Sequence, residues 1–271
     1  MQKKALVVDY DFFFVEFLSE LLAKRGYQVL KAYNGKEGIA KLENDDVDIL
    51  FADLILPKVD GPQLFRFVRN KYHGDHFPIV ALSGSMIEQL GSLDEIGADY
   101  FIAKGPIDQL TLKLNEFMEN METQSSLPSS EKKVLATGNV YPRRDAMELM
   151  DSLRFHQAVI ESAAVGIITV DDDTRIIYAN RAALEIIGLN SVDVLNRPIA
   201  DLFTTEDRGE LVNGMKQVKR QPEFKKYTFF ATHRSQVVGT SVSAIILNND
   251  VVGWVVVLEP AWQGDFKAPL N

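Results

Sequence analysis

The sequence predicts an α/β domain, built on a doubly wound five-stranded parallel sheet, followed by an α+β domain built on an antiparallel sheet. Three observations carry this. Across the first 120 residues short apolar runs alternate with amphipathic segments, and strands separated by helices imply a parallel sheet covered on both faces. In the second half the apolar runs come closer together, and the last three are joined by short turns such as NND, as in an antiparallel meander. Between the halves, TQSSLPSSEKK (123–133) is polar, with serine and proline, and reads as a linker.

ALVVD (5–9) is apolar throughout, as a strand buried on both faces must be. Phe14, Phe17, Leu18, Leu21 and Leu22 then mark one helical face, and Gly26 ends that helix. YQVLKAY is a strand, NGKEGIAKLEN a short helix, and VDILFAD (47–53) the third strand. GPQLFRFVRNKY is a helix with Pro62 near its start, where a missing N–H costs little. PIVALSG (78–84), the helix MIEQLGSLDEIG, the strand DYFIAK (99–104) and a helix with Leu110, Leu114, Phe117 and Met121 on one side complete the domain. After the linker a helix is expected at RRDAMELMDSLRFHQAVIESA. The strands GIITVD, RIIYAN, KYTFFATH, QVVGTSVSAIIL and VVGWVVVLEP follow, with helical stretches around RAALEIIGL and EDRGELVNGMKQV between the second and third. The expected division is 1–122, a linker with the start of a connecting helix at 123–150, a second domain at 151–260 and a tail at 261–271.

Composition narrows the function. Of 271 residues 46% are hydrophobic, enough for packed cores. The net charge of −9 argues against a nucleic-acid partner, which usually meets a basic face. With no cysteine there is no disulfide, thiolate metal site or cysteine nucleophile, which fits a reducing compartment. No apolar stretch is long enough for a membrane span, and the N-terminal run before Asp9 is too short for a signal peptide. A cytoplasmic protein is expected.

In an open parallel sheet functional groups gather at the carboxyl ends of the strands. Those ends carry Asp9, Asp53, Ser83 and Lys104. Two carboxylates with backbone oxygen suit Mg²⁺, a hard cation. A carboxylate also attacks phosphoryl groups to form an acyl phosphate, a reaction that needs positioning and charge neutralisation above all. Lysine and Mg²⁺ would neutralise charge, and a serine hydroxyl would bind a transferred oxygen.

LVVD (6–9), VDILFADLILPKVDG (47–61), PIVALSGS (78–85) and GADYFIAKGP (97–106) together resemble the receiver domain of two-component response regulators, a flavodoxin-like fold. The resemblance covers nearly all of residues 1–122. It implies Asp53 as phosphoacceptor, Ser83 as hydroxyl switch, Lys104 as the phosphate-pairing lysine, Phe101 as the aromatic that swings inward, and Asp9, Asp53 and the Ile55 carbonyl as Mg²⁺ ligands. It also implies a histidine kinase or phosphotransfer protein as partner. The sequence departs from the family twice. Tyr10 stands where receivers carry a second acid, and a phenol is a poor Mg²⁺ ligand at neutral pH. Asp11 either substitutes for it or simply caps the first helix. Gly105 is inserted between Lys104 and Pro106, which receivers place side by side. Phe12 and Phe13 either pack against the loop after the fifth strand or face a partner.

ESAAVGIITVDDDTRIIYANRAALEIIGLNSVDVLNRPIADLFTTEDR (161–208) and the meander ending GWVVVLEP resemble a PAS domain over about residues 152–260. Cysteinyl-flavin chemistry is excluded by composition. Haem is disfavoured, because the helix EDRGELVNGMKQV offers only Met215, while His156 and His233 lie elsewhere. A ligand-free dimerisation module and a small apolar ligand remain open. Ala146, Leu149 (or Met150), Leu153, His156 and Ile160 approximate a 3–4 spacing, so the preceding helix either pairs with a second copy or packs on its own sheet. The expected protein is a response regulator without a DNA-binding output, not an enzyme on a diffusible metabolite, and a homodimer through its PAS domain. The alternative is a PAS-based ligand sensor or adaptor whose receiver is degenerate.

Overall fold

The computed structural model describes residues 2–72, 77–84, 96–123, 133–135, 155–220 and 226–260. The chain divides into two units, Met1–Ser152 and Leu153–Asn271.

In the first unit the strands are β1 (Lys4–Val8), β2 (Gln28–Ala32), β3 (Ile49–Asp53), β4 (Ile79–Ser83) and β5 (Tyr100–Ala103). They pair in parallel in the order β2-β1-β3-β4-β5, the doubly wound arrangement expected. All five residues of β3 and of β4 are buried, because helices cover both faces. On one face α1 (Phe12–Lys24) and α4 (Ile107–Thr123) lay Val15, Leu18, Leu22, Leu114 and Phe117 over Val7, Phe51, Val80 and Ile102. On the other, Val8 and Leu64 crowd against Gly38, which brings α2 (Gly35–Asn44) and α3 (Gly61–Lys71) down onto the sheet.

Three of these helices begin where a side chain satisfies free N–H groups. Asp11 caps α1, Asn34 caps α2, and Asp60 forms a reciprocal capping box with Gln63 on α3. Arg25, just past α1, donates to Asn115 and reaches Glu119 on α4, so the two helices of that face are tied together.

The sheet differs from expectation at one edge. A sixth strand, β6 (Lys133–Leu135), pairs in parallel with β5, so the segment read as a linker contributes to the sheet. Three residues, two of them apolar, at the end of a polar stretch carry too little periodicity to be recognised, and the edge of β5 supplies the hydrogen-bonding template. The helix expected at MIEQLGSLDEIG lies outside the described residues except at its end.

The second unit is an antiparallel sheet in the order β8-β7-β11-β10-β9, from β7 (Gly166–Asp171), β8 (Ile176–Ala179), β9 (Tyr227–His233), β10 (Gln236–Leu247) and β11 (Asp250–Pro260). Before it lies a helix, α5, at 155–161. Between β8 and β9 come α6 (Arg181–Ile187), α7 (Ser191–Val194), a 3-10 turn (Ile199–Leu202) and α8 (Thr205–Arg220). Both hairpin turns of the meander hold two residues in the left-handed region, Arg234–Ser235 and Asn248–Asn249, the conformation that two-residue hairpins require. Ile168, Val170, Val242, Val256 and Leu258 from the sheet meet Ala183, Ile199, Leu211 and Val218 in one core.

Candidate functional site

The ends of β1, β3, β4 and β5 converge on one acid pocket. Asp9 follows β1, and its N–H donates to the Ala32 carbonyl at the end of β2 (3.1 Å), so its backbone is held by the sheet. Asp53 is the last residue of β3 and Ser83 the last of β4. Lys104 follows β5, and its N–H donates to the Ser83 carbonyl (2.7 Å). All three polar residues at the ends of β1, β3 and β4 are buried.

The Lys104 ammonium bridges the two acids, 2.5 Å from Asp9 Oδ2 and 2.5 Å from Asp53 Oδ2. The remaining carboxylate oxygens accept backbone N–H groups: Asp9 Oδ1 from Asp11 (3.0 Å) and Asp53 Oδ1 from Ile55 (3.1 Å). Every oxygen of the pair therefore has a donor, as buried carboxylates require. Burial pushes the Asp53 carboxyl above the usual carboxylate range; Lys104 pulls it back and the Asp9 charge adds to the rise. Burial alone would lower Lys104, but Asp53 and Asp9 outweigh it and hold the ammonium above its ordinary value.

The loop after β3 is shaped for close approach. Gly61, at the start of α3, lies so near the Asp53 carbonyl that a Cβ there would collide with it. Three residues earlier Lys58 has φ 68°, in a tight turn closed by the Val59 N–H on the Pro57 carbonyl (2.9 Å).

Of the two roles open to Asp11, the structure shows the cap: its Oδ1 accepts from the N–H of Phe13 (2.9 Å) and of Phe14 (3.4 Å). Tyr10 is exposed, so no side-chain oxygen from that position enters the pocket. Phe12 stacks on Tyr33, beyond β2, with ring centroids 6.0 Å apart, and Phe13 is 82% exposed. Phe101 is fully buried, paired in register with Ala81 of β4. Gly105 and Pro106 lead from Lys104 into α4, where the Pro106 carbonyl accepts from the Leu110 N–H. Sequence reasoning missed Phe14, whose ring centroid lies 4.4 Å from Lys104 Nζ; the helical spacing assigns it to the core and gives no sign of the lysine.

Residues 5–115 match the family described as response regulator receiver domain, and residues 154–261 match the PAS fold. The chain is a receiver domain followed by a PAS domain. Solved structures with similar parts include the chemotaxis response regulator CheY4 of Vibrio cholerae, at 24% identity, covering 43% of this chain and 98% of that one, TM-score 0.39. A two-component response regulator from Clostridium difficile is 28% identical over 45% of this chain and 100% of that one, TM-score 0.38. A PAS domain from Colwellia psychrerythraea is 16% identical over 41% and 97%, TM-score 0.37.

The PAS domain carries no comparable pocket of charge among the described residues. Asp171, Asp172 and Asp173 bring three carboxylates together, but at the β7–β8 turn, where Asp171 Oδ1 accepts from the N–H of Asp173 (3.0 Å) and Arg175 (2.9 Å) and so shapes the hairpin. Met215 packs in the core and His156 is exposed on α5. His233 is buried at the end of β9 with its ring against Phe203, centroids 5.1 Å apart, and its Nε2 has no hydrogen-bond partner among the described residues. Burial lowers its pKa, with Asp207 pulling the other way. Asn180 makes four hydrogen bonds that sequence reasoning passed over. Its Oδ1 accepts from Ile167 N–H (2.8 Å) and Ala183 N–H (2.9 Å), and its Nδ2 donates to the Ile160 and Val165 carbonyls (3.0 Å each). Ala146, Leu149 and Leu153 lie outside the described residues, whereas Phe155, Val159 and Ile160 of α5 are exposed. Among the described residues no helix is long and apolar enough to cross a membrane.

Proposed function

We propose that this protein is a phosphorylation switch of two-component signalling, in which Asp53 accepts a phosphoryl group from a histidine kinase or phosphotransfer protein. The observation that carries the reading is the Lys104 ammonium set between Asp9 and Asp53, with Ser83 at the end of the neighbouring strand. A carboxylate oxygen of Asp53 attacks phosphorus; the P–O bond forms as the P–N bond of a phosphohistidine breaks, and the released imidazole carries away the electron pair and takes up a proton. Lys104 then meets the added negative charge, and the Ser83 hydroxyl binds a transferred oxygen. The donor set suits Mg²⁺, which keeps several waters and takes one or two carboxylates. Asp9, Asp53 and the Ile55 carbonyl would hold it, and it would neutralise charge on the phosphoryl oxygens. The protein acts on its own Asp53, not on a diffusible metabolite, and works in the cytoplasm.

The added charge would shift Ser83 and, with it, Phe101, changing the receiver surface. The PAS domain would then pass the change on through a homodimer. The exposed Phe155, Val159 and Ile160 on α5 favour such pairing.

A second reading has one observation in its favour. All four oxygens of Asp9 and Asp53 already have protein donors, so the pocket is self-sufficient without phosphate. A receiver of that kind would act by protein contacts alone, leaving the signal to the PAS core. Beryllofluoride with Mg²⁺, followed by NMR on the full chain, separates the two. Saturable binding that disappears in Asp53→Asn supports the switch. Unchanged spectra at millimolar concentrations of both would support the contact-only receiver.

A further inference from the structure

We infer that Phe14 is a positioning residue for Lys104: its ring face is the third partner of the ammonium that bridges Asp9 and Asp53. The inference deepens the phosphoryl-acceptor reading of the same pocket. The ammonium has three N–H groups. Two carboxylate oxygens, Asp9 Oδ2 and Asp53 Oδ2, stand 2.5 Å away, and the Phe14 centroid stands 4.4 Å away, inside the range at which a cation feels the ring quadrupole. Lys104 is 18% exposed at its side chain, so water competes weakly and a cation–π contact counts for more than it would at the surface.

The placement of Phe14 is itself fixed by the pocket. Asp9 Oδ1 accepts the Asp11 N–H, Asp11 Oδ1 accepts the N–H groups of Phe13 and Phe14, and Phe14 returns its ring to the lysine that Asp9 also holds. Asp9, Asp11, Phe14 and Lys104 thus form a closed circuit of contacts through the first turn of α1. A lysine on a four-carbon stem has many rotamers, and two carboxylates alone leave its stem free to swing. The ring restricts that freedom and aims the ammonium at Asp53. A Met at position 14 fills similar volume without a π face, whereas a Tyr keeps the face.

The test uses the full chain with lysine labelled with ¹³C at Cε, comparing wild type, Phe14→Met and Phe14→Tyr by NMR. In wild type and Phe14→Tyr the Lys104 methylene is expected to show a ring-current shift and slow side-chain motion. In Phe14→Met the shift is lost and the Lys104 side chain moves faster than in wild type, while its two ion pairs keep it slower than a surface lysine. A Lys104 side chain as ordered in Phe14→Met as in wild type would overturn the inference. No phosphoryl group is involved in this reading, so it stands or falls apart from phosphoryl acceptance. Beryllofluoride affinity adds a second arm: Phe14→Met is expected to weaken binding roughly three- to thirtyfold, and to have no further effect in a Lys104→Met background. An equal loss in that background would mean that Phe14 acts through something other than Lys104, and would sink the positioning role.

Discussion

Lys104 is where the chemistry and the stability of the receiver meet. Asp9 is fully inaccessible and Asp53 nearly so, and each shares the same ammonium. Burying two carboxylates side by side is tolerable only with that cation between them. Lys104→Met leaves both unpaired, and the expected cost to the receiver is about 3–5 kcal/mol, read as a lowered urea midpoint in far-UV circular dichroism. Adding Asp53→Asn to Lys104→Met removes one of the stranded charges and should recover part of the loss. If Lys104→Met alone is neutral, the bridge is not holding the pocket together. Gly61 contributes in a different way. Its hydrogen side chain lets the start of α3 press against the Asp53 carbonyl, and so sets where Asp53 sits.

At the level of elements, single polar side chains decide how helices and strands join. Asn180 links the end of α5, the start of β7 and the first turn of α6 through its four hydrogen bonds while fully buried. Asn180→Ala leaves four backbone groups without these partners, the Ala183 N–H fully buried and the other three partly so, and we expect a loss of about 3 kcal/mol from the PAS domain, measured by denaturant unfolding followed through tryptophan fluorescence. A loss under 0.5 kcal/mol, the ordinary range for a surface change, would show that water replaces those bonds. The strands and helices around these joints were legible because their periodicity is local: ALVVD, VDILFAD and the Leu18–Leu22 face need no knowledge of the rest of the chain. Asp9, Asp53, Ser83 and Lys104 were legible because a parallel sheet sends all its strand ends to one edge. The rest depends on distant partners. Asn180 reads as the end of RIIYAN until its four partners are seen, Phe14 reads as core, and Lys133–Leu135 becomes a strand only beside β5.

For the whole molecule, the two domains bring different sensitivities. The receiver pocket keeps its lysine charged well past neutral pH, since Lys104 is held above its ordinary value, whereas on the acid side the pair is lost as Asp53, held above the usual carboxylate range, takes up a proton. The PAS domain is sensitive on the acid side too. His233 is buried and its folded pKa is lowered from 6.5. The unfolded chain then binds the proton more readily than the folded one, so this part of the stability is complete above about pH 6.5 and is lost as the pH falls through the lowered value. PAS-domain stability should therefore decline below that pH in wild type, and His233→Gln should flatten the decline; parallel curves for the two proteins would assign the acid sensitivity elsewhere. The switch itself is tested most directly by the intact mass of the full chain after incubation with acetyl phosphate and Mg²⁺. The account predicts one added phosphoryl group on the wild type and none on Asp53→Asn. No added mass on the wild type, or equal addition to the variant, would contradict it.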